Sequence, residues 1–100
     1  MWEESRPMAN MMRTGSYREL VVWQKAFQLC LSVYSLSSGF PEDERFGLTS
    51  EIRKTARSVV SNIAEGQQRH TASEFRRFLV IARGSQGELE AQLLLAEALG

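Results

Sequence analysis

His70 and Cys30 are the single histidine and the single cysteine of the chain, and they set a low ceiling on its chemistry. A metal site draws on several convergent donors, and nucleophilic catalysis needs a base beside its nucleophile. Neither requirement is met by one imidazole and one thiol. His70 stands just ahead of a helix start and reads as a solvated turn residue. Cys30 falls on an apolar helical stripe and reads as a small buried hydrophobe. No GxxxxGK[ST] phosphate loop is present. These residues predict no catalysis, no metal, no cofactor and no small-molecule substrate.

Two polar sets carry more information. Asn62, Glu65, Ser85 and Glu88 would converge if the segments holding them pair as antiparallel helices. A carboxylate pair is one reading of that set, and a polar network that fixes helix register is the preferred one. The second set is basic: Arg53, Lys54, Arg57, Arg69, Arg76, Arg77 and Arg83. Net charge is zero, yet residues 45–83 hold eight basic and three acidic side chains, while residues 84–100 hold no basic and three acidic ones. Such a patch would neutralise phosphates of RNA or DNA with little sequence readout. The alternative, which overall neutrality favours, is a solvated face paired with Glu51 and Glu74 or with the acidic tail of a neighbouring subunit.

Helices must position these residues. Leu20, Trp23, Phe27, Cys30, Leu31 and Tyr34 recur at three- and four-residue steps, which predicts a helix over 17–36. A second line through Val22, Ala26, Leu29 and Val33 widens its apolar arc enough for two neighbours. Gly39 and Pro41 then break the chain. Leu48, Ile52, Ala56, Val59 and Ile63 predict a second helix over 44–65, ended by Gly66. "TASE" at 71–74 has the form of a capping box and opens a third helix over 72–99. That helix carries Gly84 and Gly87 in mid-course, each about 1 kcal/mol worse than alanine, and a close neighbouring helix is the expected compensation. Trp23, Phe27, Ile52, Val59, Ile63, Phe78, Leu79, Ala82 and Leu89 form the predicted core.

A hydrophobic fraction of 43% and a charged fraction of 24% lie near globular averages, so the chain is expected to fold as one domain. Residues 1–16 lack apolar periodicity and read as a flexible arm. No run of about 18 apolar residues occurs, which argues against a membrane span. With a lone cysteine and no signal-like opening, a cytoplasmic location is expected. Leu93, Leu94 and Leu95 together spread apolar surface round more than half of the last helix. Three helices would leave part of it bare, so a fourth helix or neighbouring subunits are expected to cover it.

Residues 17–100 resemble a bacterial four-helix-bundle family, the 23S rRNA intervening-sequence proteins, through "VWQKA", "FGLTSEIRKTARSVVSNIAEG" and "EFRRFLVIARGSQGELEAQL". The resemblance implies an all-α, up-and-down antiparallel bundle that assembles into a homo-oligomeric ring, typically a pentamer, without established catalytic activity. It also implies two departures here: the family's fourth helix would follow Gly100, so that three helices of the bundle are expected within these residues, and a leucine is usual where Gln86 stands. A related branch resembles accessory proteins of diversity-generating retroelements, which bind a reverse transcriptase and nucleic acid. The expected role is therefore a non-catalytic self-assembling bundle that serves as a nucleic-acid or ribonucleoprotein accessory, or else a structural oligomeric scaffold that binds no nucleic acid.

Overall fold

The computed structural model describes residues 16–100, and the arm expected before them lies outside the described residues save for Ser16. Three α-helices follow one another: α1, Val21–Ser37; α2, Leu48–Gln68; and α3, Ala72–Leu99. No strand occurs among the described residues. Short 3-10 turns at Tyr17–Glu19 and Glu42–Glu44 precede α1 and α2.

Helix ends follow local chemistry. The Ser16 hydroxyl accepts from the Arg18 amide at 3.1 Å, and the Gln24 side chain donates to the Arg18 carbonyl at 2.9 Å. Together they fix the entry to α1. The second helix begins four residues later than 44, because residues 42–44 form their own turn. Glu44 instead places a carboxylate oxygen 3.2 Å from the Leu48 amide, where it takes up one of the unpaired donors at the helix start. At the α3 start the Thr71 hydroxyl accepts from the Glu74 amide at 3.2 Å. The reciprocal half of the box does not form, since the Glu74 carboxylate is held by Arg77.

Two layers of side chains make the core. Ala26, Val59, Ile63 and Ala82 form one, flanked by Leu20, Trp23, Val60, Phe75 and Leu79. Val33, Ile52, Ala56 and Leu89 form the other, flanked by Leu29, Cys30, Phe40, Leu48, Leu93 and Ala96. Rising numbers on α1 and α3 meet falling numbers on α2, so the chain runs up, down and up. No Cα of α1 comes within 8 Å of a Cα of α3. Both outer helices lean on α2 and touch each other only through side chains above it.

Phe27 departs from the predicted core: it is 40% exposed and stacks on Trp23 with ring centroids 5.0 Å apart. Trp23 is itself only half-buried, with Tyr17 packed edge-on against it. On α1 the apolar arc is wider than α2 can cover, so Ala26, Leu29 and Val33 turn inward while Phe27 and Val22 are left outside.

Gly66 does not end α2. It is buried within the last turns, and a Cβ built there would lie 2.6 Å from Phe78 Cβ and 3.2 Å from Phe75 Cδ1. Glycine is required by close helix approach rather than by a turn. The helix stops at His70, whose φ of 61° is the left-handed conformation that breaks the helical ladder. Conversely, Gly84 and Gly87 have no heavy atom of another element within 4 Å of an added Cβ. The neighbouring helix expected at these two glycines is not found among the described residues.

These contrasts predict opposite outcomes for one kind of substitution. Gly66→Ala should lower stability by about 1–3 kcal/mol through overpacking against Phe78. Gly84→Ala and Gly87→Ala should each raise it by up to ~1 kcal/mol through helix propensity. Urea denaturation of the dissociated chain checks this, and an equal loss at all three positions would contradict the packing described.

Candidate interaction surfaces

The basic residues divide sharply. Arg53 and Arg57 tie α2 to the end of α1. The Arg53 guanidinium lies over the Tyr34 ring at 4.7 Å, donates from Nε to the Ser37 hydroxyl at 2.8 Å and from Nη2 to the Tyr34 carbonyl at 3.2 Å. Arg57 donates to the Tyr34 hydroxyl at 2.6 Å. Ser37 is 2% exposed, so Arg53 supplies a partner to a hydroxyl that water cannot reach. The carbonyl it meets belongs to the last turn of α1, where unpaired acceptors favour a cation. The same Arg57 charge partly offsets the burial that pushes the Cys30 thiol up from its ordinary pKa. A less acidic, half-buried thiol is a poor nucleophile.

Arg69 and Arg77 are engaged at the α2–α3 corner. Arg69 pairs with Glu65 at 3.0 Å and with Glu74 at 3.7 Å. Arg77 meets both Glu74 oxygens at 3.3 Å. The two guanidiniums lie 5.1 and 4.6 Å from the centroid of the Phe78 ring. Phe78, admitted by Gly66, is thereby roofed by cations that the Glu65 and Glu74 carboxylates hold in place. Hydrogen bonding from Arg77 holds the Glu74 carboxyl below its usual range, with the charges of Arg77 and Arg69 adding to the effect. Of the two partners expected for the basic face, Glu74 is used and Glu51 is not.

Lys54, Arg76 and Arg83 are exposed and make no hydrogen bond or ion pair among the described residues. They sit on the outward faces of α2 and α3. Of the polar set, Ser85 and Asn62 converge on a residue that pattern reading had passed over. The hydroxyls of Ser58 and Ser85 lie 2.9 Å apart across α2 and α3, and the Asn62 amide donates to the Ser58 hydroxyl at 3.0 Å and its carbonyl at 2.8 Å. Glu65 turns to Arg69, and Glu88 is exposed without a partner. No carboxylate pair forms. Among the described residues no group of histidine, cysteine or acidic side chains is arranged to hold a metal.

Two uncovered apolar depressions remain. One, of about 410 Å3, lies between α1 and α3, with Val22, Leu29 and Leu79 on its walls and Val59 and Ile63 of α2 at its floor. The other, of about 850 Å3, opens at the far end among Leu36, Phe40, Leu48, Leu93 and Leu99, with Asp43, Glu44 and Glu97 also lining it. Neither brings together a nucleophile and a base. Both have the character of surfaces left for another helix.

Residues 18–100, nearly the whole of the fold described, match the 23S rRNA-intervening sequence protein family. The chain belongs to that family. No curated protein matches it. The region matched by the 23S rRNA-intervening sequence protein family takes in all three helices, both apolar depressions and every arginine discussed here. No helix among the described residues is long and apolar enough to cross a membrane.

The division of the arginines is testable. Arg53→Met should lower stability by about 1–3 kcal/mol, because it removes the donor to the buried Ser37 hydroxyl and leaves it only a 3.4 Å bond to the Tyr34 carbonyl. Arg76→Gln or Arg83→Gln should stay within about 0.5 kcal/mol in the dissociated chain. Thermal denaturation of the three variants distinguishes them. Because the Glu74 pKa is lowered on folding, its stabilisation is complete above the ordinary carboxylate value and is lost as pH falls through the folded value. Glu74→Gln should therefore flatten the acid limb of a stability-against-pH curve, and an unchanged limb would show that the corner does not act this way.

Proposed function

We propose that this member of the 23S rRNA-intervening sequence protein family is a non-catalytic, self-assembling helical module. The observation that carries the reading is the groove between α1 and α3, whose floor is the hydrophobic core itself. A three-helix arrangement with both outer helices on one central helix leaves a slot shaped for a further helix. Exposed Leu31, Leu36, Leu94, Leu95 and Leu99 extend the bare surface beyond the scattered apolar residues normal for a monomer. In this reading other copies of the chain supply the cover, and a closed ring, typically a pentamer, is the arrangement the family resemblance implies.

A role as a nucleic-acid or reverse-transcriptase accessory is the less supported reading. Of the seven basic residues that suggested it, Arg53, Arg57, Arg69 and Arg77 already have hydrogen-bond or ion-pair partners within the fold, although all but Arg53 stay exposed. Lys54, Arg76 and Arg83 are the three of the set without such a partner among the described residues.

Light scattering on the full chain should give a mass that is a multiple of the protomer at tens of micromolar. Val22→Glu places a charge on the groove wall at a residue already 46% exposed, so it should lower that mass while leaving helicity unchanged. A wild-type monomer at these concentrations would overturn the reading.

A further inference from the structure

The face of α3 turned away from α2 has a second pattern. Val80, Gly84, Gly87, Ala91, Leu94 and Ala98 follow one another at steps of four, three, four, three and four, and all are exposed. This is the spacing of a coiled-coil seam. Val80 is 69% and Leu94 60% exposed, and the space in front of both glycines is open. Glycine weakens a helix that faces only water, whereas against a second helix it lets two backbones come close.

One edge of that seam carries Arg76, Arg83, Glu90 and Glu97, spaced by seven. The line changes sign once, between Arg83 and Glu90, and none of its four charges has an ion-pair partner among the described residues. A line of this kind is complementary to itself when reversed. Laid antiparallel on a copy of itself about a two-fold axis at Gly87, the seam puts Gly87 against the partner's Gly87, Gly84 opposite the partner's Ala91, and Val80 opposite the partner's Leu94. That same register sets Arg83 beside the partner's Glu90 and Arg76 beside the partner's Glu97. A parallel two-fold pairing would put the two copies of this line on opposite sides of the seam, where they could not meet.

We propose that the outer face of α3 is a two-fold antiparallel contact with a second copy of this chain, centred on Gly87 and framed by these four reciprocal ion pairs. The proposal rests on the self-association argued above and names a second surface, which borders the α1–α3 groove at Arg83 and is centred on the opposite side of that residue, at Gly87. The contact closes a dimer by itself, or ties two rings together. The charge line also tells against a phosphate ligand here, since Glu90 and Glu97 would repel a strand that followed it past Arg83.

The test uses the full chain with Cys30→Ala. Under mild oxidation Gly87→Cys should give a disulfide-linked dimer, because residue 87 meets its own copy. Ser73→Cys, on the same outer face but far from the axis, should not. Arg83→Glu and Glu90→Arg should each weaken association about tenfold or more, since two attractive pairs per contact become repulsive. The double variant should restore it. Positions 73, 83, 87 and 90 are exposed and Cys30 is half-buried at the edge of the core, so circular dichroism, read against the Cys30→Ala chain, should report intact helix throughout. If the oligomer persists but Gly87→Cys links no faster than Ser73→Cys, or the double variant fails to restore what the single variants lose, this contact is wrong and self-assembly by another surface stands. If Arg83→Glu abolishes binding of a structured RNA without changing the mass, the arginine line serves phosphate and the contact is overturned. A wild-type monomer defeats both this proposal and the reading beneath it.

Discussion

Only α2 approaches both of the other helices backbone to backbone, and the rest of the structure follows from the row of side chains it can bury. Thr49, Ile52, Thr55, Ala56, Val59, Ile63 and Gly66 are all inaccessible, while α1 buries Ala26, Val33 and Ser37 and α3 buries Phe78, Ala82 and Leu89. With no direct backbone approach between α1 and α3, removal of this row would leave two helices with nothing in common. The small residues matter as much as the large. Ala26, Ala56 and Ala82 hold the helices close, and Gly66 lets the Phe78 Cβ into space that any other residue would occupy.

That closeness explains where the polar residues went. A helix gripped on two sides has narrow borders, and long cations at those borders lie along aromatic rings while their heads reach carbonyls, hydroxyls and carboxylates. Arg53 on Tyr34, and Arg69 and Arg77 on Phe78, are instances of one solution at two different helix junctions. What looks along the sequence like a phosphate-binding patch is in large part a set of fasteners. Arg53 and Arg57 join α1 to α2 and Arg69 joins α2 to α3, while Arg77 stays within α3 and braces Glu74. Neutral hydroxyls and an amide, Ser58, Ser85 and Asn62, fill the remaining seam between the last two.

The three helices, the break at Gly39–Pro41 and the Thr71 cap could be read from the sequence, because each depends on neighbours in the chain. The Ile52–Ala56–Val59–Ile63 stripe was equally legible, since four residues at helical spacing admit one buried face. Phe27 was misread for a reason that periodicity cannot supply: α1 has two apolar lines, and which one turns inward depends on a partner helix. Gly66 was misread because a glycine near a helix end has two uses, and only the position of Phe78 decides between them. The arginine fasteners were hidden for the same reason, as Tyr34 and Ser37 are distant in sequence from Arg53 and nothing local marks them as partners. Gly84 and Gly87 prompted the right question, and within the chain they face open space.

The two faces of α3 bring these points together. Its inner face is set by large residues against α2, and a helix needing only that contact would gain from alanine or charged residues on the other side. Instead the outer face has two glycines and two alanines on the seam, bare valine and leucine, and a charge line that reverses sign at its centre. Solvent exposure accounts for the charges but leaves the seam unexplained, while phosphate binding accounts for Arg76 and Arg83 but makes Glu90 and Glu97 unfavourable on the same line. Packing against a reversed copy uses the small residues for close approach, the apolar ones for burial and all four charges for register. That one arrangement leaves no part of the pattern idle is the physical reason to look for it on α3 rather than on the broader but less ordered apolar surface of α1.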